Sequence, residues 1–246
     1  MTLPVHLVPS LAGVGVGAEV EVSGDEAHHA VAVRRLRVGE SVVLTDGAGT
    51  AVTAEVASTG KRVFAATVTD VATSTPAEPA VVVVQALPKG ERGELAVEVL
   101  TEIGVAQIVP WAAARSVAVW KGERAARSLA KWRATAREAA KQARRSWFPE
   151  VAELAGTADL GALVAGADLA VVLHEEASVP LATLEVPRTG RIVVVVGPEG
   201  GLTEEEVATL VAAGATSVRL GAEVLRTSTA GVAAVAALLA RTPRWT

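Results

Sequence analysis

Residues 193–201 read Val-Val-Val-Val-Gly-Pro-Glu-Gly-Gly, and residues 220–231 read Leu-Gly-Ala-Glu-Val-Leu-Arg-Thr-Ser-Thr-Ala-Gly. The first stretch is a β-branched apolar run that stops at Gly-Pro, as a strand buried on both faces does when it ends in a turn. Gly200 and Gly201 follow Glu199 and let the backbone take positive φ and come close to another group. Thr203 and Glu206 then form T-x-x-E, the signature of a helix N-terminus. The second stretch repeats the scheme with a short strand around Val218–Leu220, a turn at Gly221, and a helix that Thr227 or Ser228 would cap. Two strand–turn–helix units place two loops at the carboxyl end of one sheet, where open α/β folds bind ligands.

Working outward, the 246 residues allow one large domain or two small ones. Half the residues are hydrophobic and only 3% are aromatic, so the core is built from Val, Ala and Leu. The net charge of −4 gives no global sign of nucleic-acid binding, so any basic surface is local. Without cysteine there is no disulfide scaffold, thiolate metal site or thiol nucleophile. The N-terminus lacks the basic and apolar regions of a signal peptide. The apolar run Ala230–Ala240 is shorter than the roughly 20 residues of a spanning helix. A soluble cytoplasmic protein with no membrane contact is expected.

Residues 1–73 read as short strands: Glu19–Val22, Val42–Thr45, Ala51–Ala57 and Val63–Val71, with Asp46-Gly47 as a hairpin turn. Ser23 and Glu26 form S-x-x-E before a short helix from Ala27 to about Arg35. A small β-barrel is predicted. Residues 74–79, Ser-Thr-Pro-Ala-Glu-Pro, have linker composition and set the domain boundary. From Ala80 strands alternate with helices: Val81–Ala86, a helix over Glu91–Ile103 ending at Gly104, Gln107–Trp111, a long helix from Gly122 to Arg145, and Ala170–Leu173. This alternation predicts a parallel sheet in an α/β domain over 80–246.

The long helix carries the basic patch. Arg133, Arg137, Lys141 and Arg144 recur at four, four and three residues and share one predicted face, extended by Arg145. One-sided charge on a helix in an acidic chain points to phosphate contact. His28-His29 are adjacent, with no further ligand at workable spacing, so no metal site is expected. Arg34, Arg35 and Arg37 are placed to touch phosphates. Lys89 lies just past the end of a buried strand. The phosphate-loop, dinucleotide and nucleophile-elbow fingerprints are all missing, which counts against nucleotide hydrolysis, dinucleotide redox chemistry and serine-hydrolase chemistry.

Six segments then occur in a fixed order: Leu87-Pro-Lys-Gly-Glu-Arg92, Thr101-Glu-Ile-Gly-Val105, Ala114-Arg-Ser-Val117, Glu138-Ala-Ala-Lys-Gln-Ala-Arg-Arg145, Val196-Gly-Pro-Glu-Gly-Gly201 and Leu220-Gly-(x)3-Leu-Arg-Thr-(x)-Thr-Ala230. Together they resemble the RsmE family of SPOUT methyltransferases, and His29-(x)3-Val33-x-Arg35 with Asp46-Gly47 resembles that family's PUA-like domain. The resemblance covers nearly the whole chain. It implies a PUA/OB-like β-barrel followed by an α/β SPOUT domain with a C-terminal trefoil knot, which strand periodicity does not reveal.

The implied activity is S-adenosylmethionine-dependent methylation of N3 of a uridine in the decoding region of 16S ribosomal RNA. The implied partners are the small ribosomal subunit and a second copy of the chain, packed through the knot. Carried over by position, the cofactor sits among Leu173-His174-Glu175, Val196-Gly197-Pro198-Glu199-Gly200, and the loop of Leu220, Gly221, Val224, Leu225, Arg226 and Thr227. Arg226 and Arg115 would orient the uracil or its phosphate, and Glu199 or Glu175 would accept the N3 proton. RNA would contact His29, Arg34, Arg35, Lys89 and the helical row. The family commonly reads Arg-Thr-Glu-Thr-Ala where this chain has Arg226-Thr-Ser-Thr-Ala230, so Ser228 removes one candidate base. A SPOUT enzyme for transfer-RNA ribose and a non-catalytic ribosome assembly factor are the alternatives.

Overall fold

The computed structural model describes residues 3–245. The chain divides into two compact units, Met1–Pro76 with Lys141–Phe148, and Ala77–Ala140 with Pro149–Thr246. The first division falls in the proline-bearing stretch. The return of 141–148 to the first unit has no counterpart in composition.

The first unit is a five-stranded sheet of β1 (Val5–Leu7), β2 (Glu19–Ser23), β3 (Ser41–Thr45), β4 (Thr50–Thr59) and β5 (Val63–Thr73), in the order β1–β3–β4–β5–β2. β1 runs parallel to β3 and the other pairs are antiparallel. β1 and β2 stand at the two ends of this order, with no pairing between them among the described residues. Alternation along the strands sends Val42, Leu44, Val52, Ala54, Phe64 and Ala66 into one core. The Asp46-Gly47 connection is wider than a two-residue hairpin, because the Asp46 Oδ1 accepts from the N–H groups of Ala48 (2.8 Å) and Thr50 (3.1 Å).

The helix predicted over 27–35 begins earlier, as α1 (Gly24–His28), and widens into a π-helical turn over His29–Val33. The S-x-x-E capping box does not form, since Ser23 makes no side-chain cap bond. Glu26 turns instead to Lys141 Nζ at 3.0 Å, His6 Nδ1 at 3.3 Å and the Leu7 N–H at 3.3 Å.

The second unit holds β6 (Ala80–Ala86), α2 (Arg92–Glu102), β7 (Gln107–Trp111), most of α3 (Gly122–Gln142), β8 (Glu150–Val151), α4 (Leu160–Ala165), β9 (Leu169–Leu173), β10 (Val179–Pro180), β11 (Arg191–Val196), α5 (Glu204–Ala212), β12 (Thr216–Arg219) and α6 (Thr227–Leu239). The seven strands lie in the order β10–β12–β9–β11–β6–β7–β8, all parallel. Odd and even positions of the valine runs serve opposite faces. Val81, Val83, Ile192 and Val194 pack with α2, α3 and α6 residues such as Leu100, Trp132 and Leu238. Val82, Val84, Val193 and Val195 pack with Leu160, Val164 and Leu210 of α4 and α5. Burial on both faces explains why these strands read as continuous apolar runs.

Two predicted boundaries move. α3 ends at Gln142, three residues before Arg145, because Arg144 takes a left-handed φ of 54° and its N–H closes the last turn on the Lys141 carbonyl at 3.1 Å. α6 starts at Thr227 with Arg226 in the cap position and no side-chain cap bond, so neither Thr227 nor Ser228 caps it.

Candidate functional site

β12, β9 and β11 are neighbours in the sheet, and the chain leaving their carboxyl ends surrounds one cleft of about 610 Å³. The segments are Leu173–Glu176 after β9, Val196–Leu202 after β11, and Arg219–Thr227 after β12, with Arg115 and Ala230 completing the lining. Every residue that the resemblance assigned to the cofactor lies on this lining, as do Arg115, Arg226 and Glu199. Glu176, Gly201, Leu202, Arg219, Ala222, Glu223 and Ala230 also line it without having been predicted; adjacency to the predicted loops was their signal.

The β11–α5 turn is heavily tied down. Thr203 caps α5 by accepting from the Glu206 N–H at 3.1 Å, and Glu206 returns a bond to the Thr203 N–H at 3.0 Å. The Glu206 carboxylate is only 4% exposed and also accepts from the Ala114 N–H at 2.8 Å. That contact fixes the segment carrying Arg115, whose Nη1 donates to the carbonyls of Gly200 and Leu202 at 3.3 Å each. Gly200 lets the two segments approach closely, since an added Cβ would sit 3.0 Å from both the Cβ and the carbonyl oxygen of Arg115. On the other side Glu199 accepts from the Lys89 N–H at 3.2 Å and lies 3.5 Å from Arg92 Nη1. Arg115 and Glu199, read from sequence as reacting groups, therefore also hold the turn.

The β12–α6 loop is different. Gly221 to Arg226 are all exposed, and Val224 is 73% exposed. Its anchor is Gln85, fully buried in β6, whose Nε2 donates to the Thr227 carbonyl at 3.3 Å. Sequence reading passed over Gln85, although a lone amide inside Val81–Ala86 was its signal. Ser228 is buried and lies outside the cleft lining, behind the first turn of α6. Glu175 is exposed in the lining, and its side chain makes no hydrogen bond or ion pair among the described residues.

The chemistry of the lining suits an adenosyl-amino acid. Leu173, Val196, Leu202, Leu220 and Leu225 give apolar surface, the glycine turns give backbone donors and acceptors, and four glutamates and three arginines supply charge at the rim. The volume falls within the roughly 300–1,000 Å³ of small-ligand sites.

The predicted RNA contacts do not form one row. Arg133 donates to the Val151 carbonyl (3.0 Å) and pairs with Glu153 (2.9 Å), and Arg137 lies 3.6 Å from Glu138. Lys141, its side chain only 11% exposed, is taken by Glu26. Lys141, Arg144 and Arg145 belong to the first unit, and the two arginines lie beyond the helix. His29, Arg34 and Arg35 are exposed on the first unit, and Lys89 is exposed on the second. No group of three or more His, Asp or Glu suited to a metal occurs among the described residues.

Comparison with known proteins agrees with this architecture. Residues 75–239 match the RNA methyltransferase domain family, and residues 22–68 match the RNA methyltransferase PUA domain family. Ribosomal RNA small subunit methyltransferase E of Mycobacterium bovis is 45% identical over 234 residues, covering 93% of this chain and 89% of that protein. The Bacillus subtilis protein of the same name is 30% identical, covering 88% of each chain. Ribosomal RNA small subunit methyltransferase E from Neisseria gonorrhoeae, solved bound to S-adenosyl methionine, superposes with a TM-score of 0.85 at 29% identity, covering 96% of each chain. Matched over two thirds of its length by the methyltransferase domain and nearly end to end by these relatives, the chain belongs to the ribosomal RNA small subunit methyltransferase E (RsmE) family of RNA methyltransferases.

Proposed function

We propose that this protein uses S-adenosylmethionine to methylate N3 of a uridine in the decoding region of 16S ribosomal RNA, in the cytoplasm and as a homodimer. The observation that carries the reading is the convergence of the β9, β11 and β12 carboxyl ends on one cleft lined by every residue the family resemblance assigned to the cofactor. We further propose that the C-terminal segment is threaded as the trefoil knot of SPOUT enzymes and that the dimer packs through it. Bound in the cleft, S-adenosylmethionine supplies a methyl group on a positively charged sulfonium.

The chain's own residues then have three tasks. The Gly197–Gly201 and Leu220–Thr227 backbones hold the cofactor. Arg226, exposed at the cleft where α6 begins, orients the uracil and stabilises its oxygens as negative charge develops on loss of the N3 proton. Glu175, in the lining and without a competing partner, accepts that proton, whereas Glu199 is already engaged by Lys89 and Arg92. Arg115 acts on the cofactor through the turn that it holds. His29, Arg34, Arg35, Lys89, Arg137, Arg144 and Arg145 supply RNA contact, with the strong salt dependence of phosphate binding. The target base must be single-stranded or drawn out of its stack to reach the cleft.

The test is incubation with S-adenosylmethionine and small subunits lacking the modification, followed by nucleoside mass spectrometry and mapping of the methyl group. Methyl on N3 of a decoding-region uridine is the expected result, and methyl on a ribose oxygen or none at all overturns it. Single-turnover rates of Glu175→Gln and Glu199→Gln assign the proton: an unchanged rate for Glu175→Gln removes it from that role.

A further inference from the structure

The first unit contains a second cavity, of about 420 Å³, that the proposed methyl transfer does not use. Its floor is the outer face of the sheet. Val5 pairs with Val43 across β1 and β3, and Ala51 of β4 faces Thr45 of β3, two residues along from Val43. The alternate residues His6, Val42, Leu44 and Val52 point the other way and are buried. Val5, Val43 and Ala51 are therefore apolar side chains on the face that an outer sheet surface normally gives to polar residues, and all three are half-buried. The wall is Arg144, Arg145 and Ser146.

This wall is built in place. Upstream, Lys141 is bound to Glu26 at 3.0 Å. Downstream, the Ser146 carbonyl accepts from the Gly49 N–H at 2.9 Å, and Trp147 Nε1 donates to the Ser74 carbonyl at 3.0 Å. Between these anchors Arg144 is held at φ 54°, a conformation disfavoured for any residue with a Cβ. No acidic side chain lines the cavity among the described residues, although the whole chain is net acidic.

We propose that this cavity takes one unstacked nucleotide of the RNA substrate, its phosphate on Arg144 and Arg145 and its base on the Val5–Val43–Ala51 floor. The inference rests on the RNA methyltransferase reading and deepens it. Guanidinium groups bind phosphate through paired donors and stack on bases, and apolar surface suits a base face. A cavity of this size suits a single nucleotide, whereas duplex RNA is read by shape across a broad surface. Proteins recognise single-stranded RNA by splaying out bases in this way.

The test uses the full chain, a labelled single-stranded uridine-rich 12-mer RNA, and a blunt duplex containing the same strand, read by fluorescence anisotropy. Val43→Trp fills the cavity without touching charge, and Arg144→Ala removes one guanidinium. Each is expected to weaken single-strand binding about tenfold. Arg144→Ala lowers the slope of log affinity against log salt by about one, and Val43→Trp leaves it unchanged. Far-ultraviolet circular dichroism and a cooperative unfolding transition of the first unit show that each variant is folded. Arg144 is exposed, so its variant stands if Val43→Trp fails to fold. Single-strand affinity within twofold of wild type, equal loss on the duplex, or a changed oligomeric state in Val43→Trp overturns the proposal; the last would make this face a self-contact. A wild-type protein that binds the 12-mer as described but methylates no small-subunit RNA breaks the functional reading and leaves the nucleotide site standing.

Discussion

Ser23-x-x-Glu26 in the first unit and Thr203-x-x-Glu206 in the second follow one short motif. Both read as capping boxes. At Thr203 the box forms in full, with reciprocal bonds of 3.1 and 3.0 Å. At Ser23 it does not form, and the glutamate leaves for His6 and Lys141. The box offers the carboxylate one backbone N–H, whereas the Lys141 ammonium offers Glu26 an opposite charge and contacts of 3.0 and 3.1 Å to its two oxygens. Where an ammonium group is within reach, the motif loses its own glutamate. No cation competes for Glu206 among the described residues, so it keeps the box and gains the Ala114 N–H as well.

The largest effect is therefore expected at Glu206. Glu206→Ala strips a buried acceptor from the N–H groups of Ala114 and Thr203 and from the Thr203 hydroxyl. Urea unfolding should show a loss of about 3 kcal/mol, from donors left without partners. A loss below about 1 kcal/mol would mean that water replaces the carboxylate and that Glu206 is no more than a cap.

Glu26 comes next. Burial alone would raise its carboxyl, but hydrogen bonds from His6 and Lys141 and their charges outweigh burial and bring the pKa down to about 2. Because the folded value lies below the ordinary 4.5, the unfolded chain takes up the proton first. The stabilisation is complete above about pH 4.5, declines as pH falls, and is gone below about 2. Glu26→Gln should cost about 2 kcal/mol at neutral pH, less than the 3–5 of a fully buried pair because the site is partly solvated. The difference from wild type should vanish on acidification. A difference that persists at pH 2 would assign the loss to packing and not to charge.

Arg115 carries the consequence of the intact box to the cleft. Its two bonds hold the Gly200–Leu202 backbone, so Arg115→Ala should weaken S-adenosylmethionine binding about tenfold, near 1.4 kcal/mol. The rate at saturating cofactor should change much less. A large fall in saturated rate with unchanged affinity would return Arg115 to the reacting groups.

The same contrast separates what sequence can and cannot show. Strand runs, the α5 box and the glycine turns depend on neighbours a few residues away, and all appear in the structure. So does the cleft, because each of its walls is the carboxyl end of a strand. What escaped depends on partners far along the chain: Glu26 with Lys141, 115 residues on, Arg115 with Gly200, 85 residues away, and Gln85 with Thr227, 142 residues away. The basic row failed for the same reason. Its periodicity is real over Arg133, Arg137 and Lys141, but the helix stops at Gln142, and Lys141 has an acidic partner that no helical wheel displays.

The finest test of the comparison is its smallest effect. Thr203→Ala removes the oxygen that accepts the Glu206 N–H and should cost about 1 kcal/mol. Ser23→Ala, loss of the hydroxyl at the same motif position, should stay within about 0.5 kcal/mol, since Ser23 is exposed and makes no cap bond. Both substitutions remove a hydroxyl, and Thr203→Ala also removes a methyl and the β-branch, so Thr203→Ser is the control that accounts for the methyl. What differs is the glutamate three residues on. Combining Ser23→Ala with Lys141→Met tests this directly, because removing the ammonium frees Glu26 to turn back towards the helix start. If Ser23→Ala then costs more in the Lys141→Met background than in wild type, competition for Glu26 is what keeps the first box open. If its cost stays near zero in both, the β2 pairing of Ser23 with Val63, and not the loss of Glu26, keeps the Ser23 hydroxyl from capping.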